Sequence, residues 1–212
     1  MKIGIIGSGQ VAQVLGSGFA ANGHEVMLGT RDVLKLADWL ASAGENANAG
    51  SFADVADFGE VIIISVNTVN VASAIELSGR ERFAGKIVID VTNPMDFSQG
   101  IPPRFTASYG NSLGEQMQAA LPDSHVVKAF NSMGASVMTT PIFNGEAATH
   151  FIAGNDDGAK ATVKKLIEEF GWEVLDAGDI GQAFFLEALA SLWVNYSIKS
   201  GHREQAFRLL TR

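Results

Sequence analysis

A glycine-rich turn near the start of the chain constrains the fold more than any other feature. The run Lys2–Ile6 is typical of a buried parallel strand, and Gly7-Ser8-Gly9-Gln10-Val11-Ala12 follows it directly. This turn fits the pattern Gly-x-Gly-x-x-Gly/Ala. In it the first glycine permits a tight turn, the second lets a pyrophosphate approach the backbone, and the last small residue packs helix against strand. The turn therefore predicts a dinucleotide site at the start of a helix.

The end of the second predicted strand distinguishes between the two nicotinamide cofactors. An NAD site usually has Asp or Glu there, about 20 residues beyond the glycines, to bind ribose hydroxyls. Here the strand over residues 25–28 ends in Gly29-Thr30-Arg31-Asp32. Thr30 offers a hydroxyl and Arg31 offers a guanidinium group that suits a phosphate, whereas Asp32 is expected to cap the next helix. These residues favour NADP over NAD.

The composition limits the chemistry that the chain can perform. The 212 residues contain no cysteine, which excludes disulfides and thiolate metal sites, and the four histidines are too scattered to form a metal site. A net charge of −8 argues against nucleic acid as a partner. We see neither a signal peptide nor an apolar run long enough to span a membrane, so a cytoplasmic protein is expected.

Strands and helices alternate along most of the chain. Further strands are predicted at residues 47–50, 61–66, 86–91, 125–131, 149–153 and 173–176, with helices between them. This alternation predicts an α/β fold of the Rossmann type, with a doubly wound, mostly parallel sheet. We expect an NADP-binding domain over residues 1–178 and a small helical C-terminal lobe over residues 179–212, including a short amphipathic tail at residues 203–210.

The reactive end of the cofactor is expected beyond the fourth and fifth strands. The sequence there is Val66-Asn67-Thr68 and Thr92-Asn93-Pro94. Each asparagine could hydrogen-bond the ribose or the carboxamide, or could instead cap a helix or a turn. Neither segment offers a Lys, His or Tyr as a proton donor.

The predicted acceptor site is apolar. Hydride transfer between two flat ring systems needs the reacting carbons held face to face in a dry site, and little acid–base help. We expect Val66 and Pro94 to line this site. The substrate residues that we predict are Met95, Phe130, Asn131 and Met133. Lys128 lies inside an apolar strand and is interpreted as structural, so no catalytic side chain is predicted.

Several stretches together resemble a known family, the NADPH-dependent deazaflavin (coenzyme F420) reductases, also called coenzyme F420-dependent NADP oxidoreductases. The likeness extends over nearly the whole chain. It is carried by five stretches, residues 3–12, 29–31, 90–94, 127–131 and 154–178, and by the helix around residues 186–190. The resemblance implies a Rossmann domain with a small C-terminal lobe, often in a homodimer. It also implies that Thr30 and Arg31 take the 2′-phosphate and that Ser8 to Val11 contact the pyrophosphate.

The expected function is hydride transfer between NADPH and a flavin-like small molecule, either a deazaflavin coenzyme or a flavin as co-substrate. Two alternatives stay open at this stage. One is reduction of a small carbonyl or imine, although related enzymes with that activity carry a larger helical domain. The other is a non-catalytic NADP-binding module that reports redox state to a partner.

A helix predicted over residues 180–199 is apolar around much of its circumference. Small residues lie beside large ones in it, so that another helix could approach closely. Such a helix is buried either in its own chain or against a second subunit. We expect a homodimer with this helix in the interface.

Overall fold

The computed structural model describes residues 1–212 and divides them into two compact units. Unit 1 comprises Met1–Thr92 and Leu121–His125, and unit 2 comprises Asn93–Ala120 and Val126–Arg212. The division expected from the sequence, into a domain over residues 1–178 and a lobe over residues 179–212, stays a prediction.

Unit 1 is built from alternating strands and helices. Its elements are β1 (Lys2–Ile6), α1 (Gln10–Ala21), β2 (Glu25–Gly29), α2 (Ala37–Ala43), β3 (Ala47–Gly50), α3 (Phe52–Phe58), β4 (Val61–Ile64), α4 (Val71–Ser78) and β5 (Ile87–Asp90). All strand pairs are parallel, in the order β3-β2-β1-β4-β5. This is the order of a dinucleotide-binding half, in which the chain reverses direction across the sheet between β1 and β4.

Hydrophobic burial explains the central strands of unit 1. β4 consists of four fully buried β-branched residues, and β1 is buried except at its first residue. Such strands, covered by helices on both faces, form the interior of a parallel sheet. The flanking helix α3 begins with a capping box, in which Ser51 accepts from the Asp54 backbone N–H and the Asp54 carboxylate accepts from Ser51.

Unit 2 contains the remaining elements, except that His125, the first residue of β8, belongs to unit 1. They are β6 (Met95–Asp96), β7 (Arg104–Phe105), α5 (Leu113–Ala120), β8 (His125–Lys128), β9 (Ile142–Phe143), β10 (Glu146–Ala147), β11 (Thr149–Gly154), α6 (Asp157–Glu168), β12 (Glu173–Asp176) and α7 (Ala183–Ser200). β11 pairs parallel with β12 and antiparallel with the end of β8. The predicted α/β fold with a mostly parallel sheet and a C-terminal helix is confirmed.

The C-terminal tail differs from the prediction. Residues 203–210 contain no helix and run back beside β11 instead. The Thr149 backbone N–H donates to the Phe207 carbonyl at 2.9 Å, and the Leu209 N–H donates to the Thr149 hydroxyl at 3.0 Å. The tail also contacts α7, because the Trp193 indole donates to the Gln205 carbonyl. An isolated helix of this length is only marginally stable in water. Hydrogen bonding of the tail backbone to the neighbouring strand is therefore the more stable arrangement.

The connection between β5 and α5 contains a short antiparallel strand pair. β6 and β7 pair antiparallel within it, Met95 opposite Phe105 and Asp96 opposite Arg104. Asp96 also accepts hydrogen bonds from Ser98, which lowers the pKa of its carboxyl group. No helix in the structure is long and apolar enough to cross a membrane.

Candidate functional site

The glycine-rich turn of unit 1 has two glycines with different roles. Gly7 has a φ of 139°, and a Cβ there would lie 2.0 Å from the Ser65 carbonyl oxygen. Only glycine therefore fits where the residues after β1 and β4 come this close together. Gly9 is exposed, and a Cβ there would meet nothing within 4 Å. Packing within the protein therefore explains Gly7 but not Gly9.

The N-terminus of α1 lies next to the open space at Gly9. Gly9 is its N-cap residue, no side chain caps the helix, and its first turn contains no acidic residue. Ser8 is half-buried, Gln10 is exposed, and Val11 is half-buried at the start of the helix, while the buried Ala12 packs toward the sheet. Uncapped N–H groups and the positive end of the helix dipole make this end a fitting place for an anion.

The turn after β2 is organised by Thr30. Its buried hydroxyl accepts from the Asp32 backbone N–H at 3.2 Å and donates to the Asp32 carbonyl at 3.3 Å. The Asp32 carboxylate accepts from the Leu34 N–H and so caps the following 3₁₀ turn, as the sequence predicts. Arg31 is exposed between them and forms no ion pair within the chain. Thr30 thus shapes the turn, and the Arg31 side chain is exposed and unpaired on it.

The predicted residues after β4 lie at the end of that strand in unit 1. Val66 is half-buried and Asn67 is exposed. Asn67 occupies the N-cap position of a 3₁₀ turn over Thr68–Asn70, but its side chain does not cap it; the backbone carbonyl of Asn67 accepts from the Asn70 N–H instead. The side-chain capping role that competed with a ligand role for Asn67 is therefore not observed.

Two asparagines predicted as site residues hold each other in unit 2. The Asn93 amide donates to the Asn131 carbonyl at 2.8 Å, and the Asn131 amide donates to the Asn93 Oδ1 at 3.1 Å and to the Leu186 carbonyl at 2.9 Å. The Asn131 Oδ1 is buried and has no hydrogen-bond partner. Pro94, Phe130 and Met133 are buried as well, and Met95 is half-buried.

Sequence reasoning missed His150, which lies on β11. Its Nε2 accepts from the Phe130 backbone N–H at 2.8 Å, and its ring packs edge-on against the Phe130 ring with the centroids 4.6 Å apart. Complete burial lowers the pKa of His150 to about 3, so the ring is neutral near pH 7. A lone histidine in an apolar strand carries no signal of such a partner.

Lys128 lies in a buried ion pair, which agrees with its interpretation as a structural residue. Its ammonium group lies 2.8 Å from the carboxylate of Glu187 on α7, and neither side chain is exposed. The same carboxylate accepts from the backbone N–H groups of Leu113 and Gly114, at the start of α5. Glu187 was not predicted, although a single acid inside an apolar helix and a single lysine inside an apolar strand together suggest such a pair.

The residues of unit 1 fit an NADP dinucleotide. A cradle that a side chain at Gly9 would fill lies at an uncapped helix terminus, which suits a pyrophosphate. The unpaired Arg31 suits a 2′-phosphate, and the adjacent acid, Asp32, is occupied as a cap. The structure contains no cluster of His, Asp and Glu side chains that could hold a metal ion.

Comparisons with known proteins agree with this geometry. The model of the family described as "NADP oxidoreductase coenzyme F420-dependent" matches residues 2–94. A crystal structure of a candidate F420-dependent NADP-reductase from Arthrobacter sp. FB24 is 36% identical, covers 100% of both chains and superposes with a TM-score of 0.93.

Two curated relatives are more distant. The F420-dependent NADP reductase of Methanothermobacter marburgensis is 28% identical over 224 residues, which cover 99% of this chain and 98% of the relative. Metalloreductase STEAP3 of Rattus norvegicus is 28% identical over 188 residues, which cover 89% of this chain but only 36% of the metalloreductase. This chain therefore spans little more than a third of the metalloreductase that it matches.

The similarity to the Arthrobacter protein extends along the whole of both chains, and the family model covers the glycine-rich turn and Arg31. The resemblance inferred from the sequence and NADP as the cofactor are confirmed. On this evidence the chain belongs to the family of coenzyme F420-dependent NADP oxidoreductases.

Proposed function

We propose that this NADP-dependent oxidoreductase transfers a hydride between NADPH and a flavin-like acceptor, with the deazaflavin coenzyme F420 as the first candidate and FMN or FAD as the others. The observation that carries the NADP half is the turn after β2, where Arg31 is exposed and unpaired while Asp32 is used as a cap. NADPH supplies two electrons and a proton as hydride, and the acceptor takes any further proton from solvent.

The dinucleotide half of the proposal assigns roles in unit 1. The backbone around Ser8, Gly9, Gln10 and Val11 binds the pyrophosphate, since the helix terminus there is uncapped. Arg31 binds the 2′-phosphate, and Thr30 holds the turn that presents it. Val66, Asn67 and Thr68 are assigned to the remainder of the dinucleotide. Asn67 supports this assignment, because it is exposed and its side chain does not cap the following turn.

Unit 2 supports a flat acceptor rather than a carbonyl or an imine. Reduction of a carbonyl needs a proton donor beside the oxygen. The buried basic side chains of unit 2 are all in use: Lys128 pairs with Glu187, Lys160 pairs with Asp157 and Asp176, and His150 accepts a backbone hydrogen bond. Asn93 and Pro94 are assigned to the cofactor, and Met95, Phe130, Asn131 and Met133 to the acceptor.

A decisive test measures NADPH oxidation by the purified protein with coenzyme F420, FMN and FAD in turn, with NADH in place of NADPH as the cofactor control. Loss of the deazaflavin absorbance with NADPH, and much less with NADH, is expected. Tight NADPH binding without oxidation by any of the three would support the alternative of a redox-sensing module and contradict the proposal. Turnover only with an imine or a carbonyl compound would contradict the acceptor class.

The proposal includes a homodimer and a cytoplasmic location. Support for the dimer comes from α7, where Phe185, Leu192 and Tyr196 lie on one face and are 52%, 59% and 57% exposed. Residues spaced by seven and four positions share one side of a helix, so these three form a continuous apolar stripe. The location is a prediction from the sequence, and fractionation of the source cells tests it.

A further inference from the structure

The turn formed by Phe130 and Asn131, which we call the Phe130–Asn131 turn, combines two unfavourable features. Phe130 has a φ of 57°, in the left-handed region that bulky residues rarely adopt. The neighbouring Asn131 buries its Oδ1 without a hydrogen-bond partner. Such features persist only where the surrounding structure imposes them, and they concentrate at functional sites.

His150 contacts both the backbone and the ring of Phe130. Its Nε2 accepts the Phe130 backbone N–H at 2.8 Å, and its ring is clamped edge-on between the rings of Phe130 and Trp172, with centroid distances of 4.6 and 5.1 Å. Because Nε2 accepts, the proton of the neutral ring is on Nδ1, which is buried without a partner. His150 Nδ1 is thus the second unsatisfied polar atom here, after Asn131 Oδ1, and it accompanies the hydrogen bond from the Phe130 N–H to Nε2.

The Phe130–Asn131 turn transmits its position to Asn93. The Asn131 amide donates to both Asn93 Oδ1 and the Leu186 carbonyl, and the Asn93 amide returns a hydrogen bond to the Asn131 carbonyl at 2.8 Å. A rotation of the Phe130 peptide would displace the Asn131 backbone and, through it, the Asn93 side chain. These two asparagines are the polar groups assigned above to the cofactor and the acceptor.

We propose that His150 is a positioning residue for hydride transfer: it holds the Phe130–Asn131 turn in its left-handed conformation, and this fixes Asn131 and Asn93. His150 does not touch the reactants and acts only through the turn. The kinetic part of this inference rests on the proposed function, whereas the structural part stands by itself. Small displacements of groups that align two reactants reduce the rate of the chemical step much more than they weaken binding.

The test compares two substitutions of His150. His150→Gln can place an amide oxygen near the position of Nε2 and keep the hydrogen bond, whereas His150→Leu removes the acceptor at similar volume. His24→Leu is the matched control, because His24 is another buried imidazole, in unit 1, near the Met1 amino group. Deuterium uptake by peptides covering residues 129–134 reports on the turn, and steady-state kinetics with NADPH and coenzyme F420 report on the reaction.

We expect uptake in residues 129–134 to become about tenfold faster in His150→Leu, since one hydrogen bond that resists local opening is lost. We also expect kcat to fall about tenfold or more while the KM for NADPH stays within about twofold of the wild type. His150→Gln should restore both quantities, and His24→Leu should change neither. If His150→Leu does not fold, His150→Asn, whose oxygen falls short of the Nε2 position, makes the same comparison.

Two results would overturn the proposal. Unchanged uptake in residues 129–134 would mean that His150 does not hold the turn. Faster uptake with a kcat no lower than that of the His24→Leu control would mean that His150 is structural only. A wild-type protein that oxidises NADPH with none of the acceptors would overturn the proposed function instead, and the exchange data would then decide alone whether His150 holds the turn.

Discussion

The ammonium group of Lys128 and the carboxylate of Glu187 lie 2.8 Å apart with both side chains fully buried, and this pair joins β8 to α7. The Glu187 carboxylate also accepts two backbone N–H groups at the start of α5. The pair therefore links three elements of unit 2. Transferring a charged group from water into the protein interior costs free energy. This pair is tolerated because additional hydrogen bonds satisfy the carboxylate.

We predict that Glu187→Gln lowers the free energy of unfolding by about 3–5 kcal/mol, because it leaves the buried Lys128 charge without its partner. Urea denaturation of the variant and of the exposed control Glu25→Gln measures this loss. Adding Lys128→Met to Glu187→Gln removes the unpaired charge and should recover about 1–3 kcal/mol. A single variant no less stable than the control would show that the ion pair does not hold unit 2 together.

Arg31→Ala should weaken NADPH binding by about 1.5–3 kcal/mol, the range for a hydrogen bond to a charged group. NADH lacks the 2′-phosphate, so its affinity should change little. Arg31 is exposed and unpaired, and the fold should be unaffected. Isothermal titration calorimetry with both cofactors measures the difference, and Lys35→Ala, a nearby exposed cation, is the control. Equal losses for the two cofactors would contradict the assignment of Arg31 to the 2′-phosphate.

The two glycines of the N-terminal turn should respond differently to a side chain. Gly9→Val should abolish NADPH binding and leave the melting temperature unchanged, since the added atoms enter open space that the pyrophosphate needs. Gly7→Ala should lower the free energy of unfolding by about 3 kcal/mol, because its Cβ would clash with the Ser65 carbonyl at a strained φ. Thermal melts and calorimetry separate the two effects. Normal binding by Gly9→Val would reduce the turn to a packing feature.

The sequence predicted the strands of unit 1 well because their signal is local. Continuous β-branched residues at β4 and the glycine pattern after β1 depend on no distant contact. Strand ends were less accurate, since side-chain hydrogen bonds to the residues just beyond a strand help to determine where it stops. The fifth strand was expected to end at residue 91, but β5 ends at Asp90, whose carboxylate accepts from the backbone and the hydroxyl of Thr92.

Site residues that belong to a local turn motif can be predicted from the sequence. Those brought together only by tertiary packing cannot. Gly9 and Arg31 are predicted as cofactor-binding residues because motif spacing places them. The partner of Asn93 was not found, because residue 131 lies 38 positions away and no periodicity links the two. His150 was not predicted as a site residue for the same reason. Its function depends on the backbone N–H of Phe130, a group that every non-proline residue carries and that no sequence pattern marks.

The stability of the protein should depend on pH through His150. Burial lowers the pKa of His150 from 6.5 to about 3, so below about pH 6.5 the unfolded chain takes up a proton that the native protein does not. The contribution of His150 to the free energy of unfolding is therefore at its maximum above pH 6.5, and it declines as the pH falls toward 3. Between about pH 6 and pH 5, the wild type should lose about 1.4 kcal/mol per pH unit more than His150→Gln.

Urea denaturation at several pH values measures this slope. His202→Gln, a substitution at an exposed histidine, is the control and should keep the wild-type dependence. Parallel pH profiles for the wild type and His150→Gln would mean that His150 is protonated in the native state. That result would also contradict its role as the acceptor of the Phe130 N–H.

The apolar stripe of α7 leads to a prediction about assembly. Trp193 is a poor place for a test, because its indole holds the C-terminal tail and its ring packs on Gly134, so a charge there would disturb the fold itself. Leu192 is exposed at the centre of the stripe between Phe185 and Tyr196. Two-fold dimers are the commonest oligomers, and an exposed apolar helix face is a surface that a second copy of the chain can cover.

We therefore predict that light scattering of the wild type near micromolar concentration gives twice the chain mass of 22.4 kDa. Leu192→Asp should give a monomer that keeps its melting behaviour, because the side chain lies outside the core and its charge cannot be buried between two apolar faces. Ile198→Asp is the matched control, because it also replaces an exposed residue of α7. At 3.6 residues per turn, Ile198 lies about 120° around the helix from Leu192 and outside the stripe, so this substitution should leave the dimer intact. A wild type of 22.4 kDa would refute the dimer, and equal dissociation by both substitutions would place the interface elsewhere than the stripe.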